Sequence, residues 1–105
     1  MYGKVMISDI ETGFLANAAT PFRYKNLFGI DLLSVLAKGD DSSVDDYVRL
    51  AFIMAKQADK ADMTTLTEED FYQWLEPYEF SDLVEALPDI IGLYMKNKQT
   101  TSDPK

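Results

Sequence analysis

Cysteine and histidine are both absent from the 105 residues. Without cysteine there is no disulfide and no thiolate ligand; without histidine there is no imidazole ligand and no imidazole base. Zinc-type centres and Ser-His or Cys-His nucleophilic catalysis are therefore excluded. Positive charge is scarce as well, with ten Lys and Arg against eighteen Asp and Glu and a net charge of −8. A nucleic-acid groove needs clustered cations, and these ten are scattered. No Gly-rich phosphate loop occurs, since Gly29 and Gly39 each stand alone. No apolar run reaches the ~18 residues of a membrane span. Asp9 and Glu11 interrupt the N-terminal apolar residues before a signal-peptide core forms, so the chain is expected to stay where it is made. Two acidic stretches invite a calcium reading and fail it. Asp40–Asp46 lacks the turn glycine, and within Asp59–Asp70 the residues Ala61, Met63 and Thr64 stand where ligands or glycine belong. Only carboxylates remain as catalytic groups, so no enzyme, no metal and no cofactor is expected.

What is present reads as one folded domain. Apolar residues make up 47% of the chain and are spread along it, which argues against disorder except at the ends. Residues 1–96 are expected to form a single domain and 97–105, with no apolar anchor, a disordered polar tail. The charge keeps such a domain soluble or steers it toward a basic or amphipathic partner.

Alternation places Val5 and Ile7 on one side of a strand over 4–8, and Phe14, Ala16 and Ala18 on one side of a strand over 14–18. Asp9–Gly13 is the turn between them, closed by a glycine free to take positive φ. The rest, 20–96, is helical. Thr20-Pro21 opens a helix, with the threonine hydroxyl as cap and proline at the first position. Tyr24, Leu27 and Phe28 share its face, and Gly29 stops it in a left-handed cap. Asp31 starts a short helix packed through Leu32, Leu33, Val35 and Leu36. After the loop 38–43, Ser42 or Ser43 caps a helix of about four turns. Its core stripe is Val44, Tyr47, Val48, Ala51, Met54, Ala55 and Ala58. Leu50, Phe52 and Ile53 fall outside that stripe, so this helix is either central and buried or has a second, partner-facing side. Thr67 and Asp70 form a capping-box-like start to a helix carrying Phe71, Trp74 and Leu75, with Pro77 ending it at Glu76. Trp74 is a core residue or an interface anchor. Ser81 caps the last helix, whose stripe is Phe80, Leu83, Val84, Leu87, Ile90, Ile91 and Tyr94. Pro88 kinks or breaks it. The expected fold is mainly α: a small bundle of four to five helices with an N-terminal β-hairpin.

The stretch from Phe14 to Leu33 resembles the Phe-x-Ala-x-Ala-x-Thr-Pro-x-x-Tyr-x-x-x-Phe-Gly-x-Asp-Leu pattern of the tail assembly chaperones of long-tailed bacteriophages. Phe14, Ala16, Ala18, Thr20, Pro21, Tyr24, Phe28, Gly29, Asp31 and Leu32 carry the likeness, and the later order of helices is similar. The resemblance implies a non-enzymatic protein of the infected bacterial cytoplasm, absent from the mature virion. Such a protein coats and solubilises the tape measure protein and helps bring tail tube protein to it. Two other classes suit a small acidic helical domain: a head-tail connector or tail completion protein, and an immunity-type inhibitor.

Phe14, Thr20, Pro21, Tyr24, Phe28, Gly29 and Asp31 explain themselves as scaffold, so partner contacts are sought elsewhere. Leu50, Ile53, Tyr72 and Tyr78 carry apolar area away from the inferred stripes and are the expected partner-binding residues. The hairpin edge offers a route to self-association. Neither nucleic acid nor membrane is an expected partner.

Overall fold

The computed structural model describes residues 1–102, with side chains described for all of these but Asp40 and 97–102. An antiparallel hairpin of β1 (Tyr2–Ile7) and β2 (Ile10–Leu15) leads into α1 (Thr20–Phe28), α2 (Leu32–Lys38), α3 (Val44–Ala58), α4 (Glu68–Leu75) and α5 (Phe80–Ser102), with one 3-10 turn at Gly39–Asp41. The molecule is mainly α, a small helical bundle with an N-terminal hairpin. The polar segment 97–105 overlaps the end of α5, and 103–105 lie outside the described residues.

α3 is the central element. All residues from Leu50 to Ala55 are buried, because β2, α1, α4 and α5 all pack against this helix. Phe52, outside the stripe by periodicity, is fully buried and meets Phe28, Phe71 and Trp74 edge-on, with ring centroids 6.4, 5.3 and 5.7 Å away. Val44, assigned to the stripe, is exposed, since it is the first helical residue and borders an open depression between Leu36 of α2 and Pro88 and Ile91 of α5.

The hairpin differs in register from the sequence expectation. Its strands run 2–7 and 10–15, and the turn is only Ser8-Asp9, with φ of 50° and 65°. Positive φ at both central residues is the turn geometry whose twist matches the flanking strands. Gly13 is therefore a strand residue, and its lack of a Cβ has a different use. Tyr2 lies over it, and an added Cβ would sit 2.7 Å from the tyrosine oxygen. Ile7 and Phe14 point into the core with Ala16 just beyond the strand, whereas Ala18 is exposed.

Ser8 also takes a role expected of Ser81. Its hydroxyl accepts the Glu79 N–H at 2.9 Å and donates to Asp82 at 2.7 Å. The hairpin tip thus caps α5, which begins at Phe80 and leaves Ser81 inside the first turn. α5 then runs through Pro88 without a break. Proline inside a helix costs about 3 kcal/mol. Leu83, Leu87, Ile90 and Tyr94, buried on both sides of it, each contribute about 1.5–3 kcal/mol, so a single buried face outweighs the lost bond.

The other caps are local. Asp31 accepts from Leu33 N–H and Ser43 from Asp45 N–H, both at 3.0 Å. Thr67 and Asp70 cap each other's amides reciprocally. Gly29, at φ 72°, closes α1 by donating to Lys25 O at 2.7 Å. Leu33, expected in the core, is 57% exposed; Leu32 and Val35 bury α2 instead.

Thr20 does not cap α1. Its hydroxyl is turned inward, where it accepts from Gln57 Nε2 at 2.9 Å and from Asn17 N–H at 3.0 Å. Gln57, 4% exposed, also donates to Leu15 O at 2.7 Å and accepts from Arg23 Nη1 at 3.1 Å. Gln57→Ala strands these buried groups and should lower stability by about 2–3 kcal/mol. In thermal unfolding that is a fall in Tm of roughly 10–20 °C.

Tyr24 is fully buried and donates to Asp46 O at 2.8 Å. Burial, then the nearby Asp46 carboxylate, push its pKa above the ordinary tyrosine value. The folded state therefore holds a proton that the unfolded state releases above about pH 10. Stability from Tyr24 is full below that pH and falls as pH rises through it. Denaturant titrations of Tyr24→Phe should show a flatter pH dependence than the parent above about pH 10.

Candidate functional site

α4 has only eight residues between its Thr67 cap and the stop before Pro77, about 12 Å of helix. It is too short to cover the seam between α3 and α5, and Phe71 is its one buried side chain. The uncovered part of the seam is a groove of about 240 Å³. Val48 of α3, Phe71 and Leu75 of α4 and Leu83 of α5 line it. Two large side chains stand at its edge with most of their surface in solvent, Tyr72 at 56% and Phe80 at 69%.

Tyr78, half-buried, also lines the groove. Its ring stacks edge-on with Trp74 at 5.3 Å and its hydroxyl pairs with Thr12 Oγ1 at 3.0 Å. Asp45 and Arg49 supply charge from α3. Arg49 is already engaged, paired with Asp46 at 3.2 Å and lying over the Phe28 ring at 5.7 Å.

The structure brings two of the four expected contact residues together here, Tyr72 and Tyr78. The other two are corrected: Leu50 and Ile53 are fully buried, because α3 has packing partners beyond its main stripe. Phe80 was hidden by its spacing. It falls on the α5 stripe with Leu83 and Leu87, yet at the first turn that stripe has outrun the elements it packs on. None of Phe14, Thr20, Pro21, Tyr24, Phe28, Gly29 and Asp31 lines the groove.

The groove has an apolar floor and aromatic edges, with Asp45 and Arg49 as its charged lining. Among the described residues no group of three or more side chains is placed to hold a metal ion, and no helix is long and apolar enough to cross a membrane. No protein-family model, no curated protein and no solved structure matches the chain.

Core and groove positions should separate cleanly by mutation. Ile53→Asp buries an unpaired charge, which costs several kcal/mol of a total of about 5–15, so the near-ultraviolet circular dichroism of the folded state should be lost. Tyr72→Asp and Phe80→Asp place charge in solvent and should keep that spectrum, with stability within about 0.5 kcal/mol of the parent.

Proposed function

We propose that this chain is a non-enzymatic assembly chaperone whose groove takes up the apolar stripe of an amphipathic helix. The observation that supports this most directly is the uncovered α3–α4–α5 seam with Tyr72 and Phe80 at its edge. Exposed aromatics beside a buried apolar floor are the usual anchors of an interface, and an apolar groove between helices suits helix anchors spaced three and four residues apart. A long unassembled helical rod exposes such stripes along its length and aggregates through them. Weak sites repeated along one rod gain by multivalency and still release one at a time.

The resemblance of Phe14–Leu33 to tail assembly chaperones supplies the specific form of the proposal. The rod is then a phage tape measure protein, tail tube protein is the second partner, and the work is done in the bacterial cytoplasm before the virion is complete. The net charge of −8 suits a protein that must keep an aggregation-prone partner in solution.

Co-expression with a phage tape measure protein tests this. The parent chain should shift the rod from the pellet to the soluble fraction, and the Tyr72→Asp/Phe80→Asp double variant should leave it in the pellet. A folded double variant that solubilises the rod as well as the parent rules the groove out. Detection of the chain in purified virions would replace the chaperone with a structural connector, and tight one-to-one capture of a single globular protein would replace it with an inhibitor.

A further inference from the structure

The hairpin carries a second, separate surface. Met1 and Ala16 exchange two hydrogen bonds, the Met1 amine donating to Ala16 O at 2.6 Å and the Ala16 N–H to Met1 O at 2.8 Å. Bonded and non-bonded pairs alternate along an antiparallel ladder. With the observed register, Gly3, Val5 and Ile7 therefore bond to β2, while Tyr2, Lys4 and Met6 turn their N–H and C=O groups away from it. Among the described residues none of these three has a backbone hydrogen bond to another element. The β2 edge differs, because Leu15 O accepts from Gln57 and the strand packs on α3. An edge with free donors and acceptors is a template for one more strand.

A trough beside that edge has room for the strand. Toward the turn it opens about 430 Å³ between Met6 and Asp9 on one side and Asp82, Glu85 and Asp89 on the other. It continues for about 460 Å³ past Lys4, Asp89, Leu93 and Lys96, so the acidic side chains are concentrated in the half nearer the turn. No β2 residue lines either part, so the trough lies on the open side of β1, where a third strand would sit about 4.8 Å away. Asp82, Glu85 and Asp89, spaced three and four apart, form one acidic row of α5 along it.

We propose that the β1 edge takes an extended peptide segment as a third strand, with Lys or Arg at every second position. Backbone pairing gives the segment its place, and the side chains that alternate toward α5 meet the acidic row, which selects basic over acidic sequences. A second copy of this chain fits poorly. Each copy carries a net charge of −8, and β1 offers Lys4 as its only cation.

Amide hydrogen exchange of the full chain tests the proposal, with a soluble peptide of about ten residues alternating Thr and Lys as the probe. Saturating peptide should slow exchange at Tyr2, Lys4 and Met6 by about tenfold or more, and the Thr-Glu counterpart should not bind. Glu85→Lys/Asp89→Lys should raise the Kd by about tenfold or more. Met6→Pro removes an outward amide without touching a ladder bond and should abolish binding while the fold, read by circular dichroism, persists. Tyr72→Asp/Phe80→Asp should bind the peptide unchanged, which keeps this surface distinct from the groove. Absence of binding at millimolar peptide overturns the proposal. So does binding without protection of those amides, or equal binding of the glutamate peptide. Concentration-dependent protection without any peptide overturns it in favour of a second copy.

Discussion

Gln57, in the last turn of α3, stands where the end of β2 and the start of α1 meet that helix, and its side-chain amide bonds to both of them. A buried amide with partners missing costs about 1–3 kcal/mol, so the three segments are constrained together. β2 must present the Leu15 carbonyl, Thr20 must turn its hydroxyl inward, and Arg23 must lie across the amide oxygen. This fixes the direction in which α1 leaves the hairpin, and with it the placement of Tyr24 and Phe28 against α3. A two-stranded hairpin is marginal by itself; here its exit is held by an amide in the core.

The same hairpin is held at two further points. Ser8 at the tip bonds to Glu79 and Asp82 at the start of α5, and Thr12 pairs with Tyr78. Tyr78 in turn ends a chain of edge-on rings running from Tyr24 through Phe28, Phe52 and Trp74, which joins α1, α3 and α4 to the segment before α5. All three ties fall on β2 or on the turn. The outward groups of β1 enter none of them, which is the physical reason that one edge of the sheet stays open while the rest of the hairpin is locked.

Local features were legible in the sequence, because a cap or a stop is decided within three or four residues. Asp31, Ser43, the Thr67–Asp70 pair, Gly29 and the stop before Pro77 all stand as their neighbours dictate. The two misjudged caps failed for one shared reason. Thr20 was claimed by Gln57, 37 residues away, and the start of α5 by Ser8, 71 residues from Glu79. The hairpin register was misjudged because Gly13 suggests a turn, whereas its missing Cβ makes room for Tyr2. Periodicity judged burial well where a helix has one packed side and poorly where it has several, hence Leu50 and Ile53. It failed in the opposite sense at Phe80, where the stripe continues past the last neighbour. Tyr72 and Tyr78 were thus visible as apolar excess, whereas Phe80 was concealed inside an ordinary helical pattern.

Within Phe14–Leu33, which carries the resemblance, several of the matching residues are committed to architecture. Phe14 and Tyr24 are wholly buried, Thr20 is held by Gln57, Gly29 and Asp31 close one helix and open the next, and Phe28 packs among rings. Substituting any of them disturbs the scaffold first. Both docking surfaces inferred from the structure are built instead from residues with side chains in reach of solvent: Tyr72 and Phe80 at the groove, Met6, Glu85 and Asp89 along the β1 edge. Such positions can change without cost to the core. If the two proposed surfaces bind as inferred, partner choice falls to the exposed aromatics and the acidic α5 face, whose side chains the core does not need.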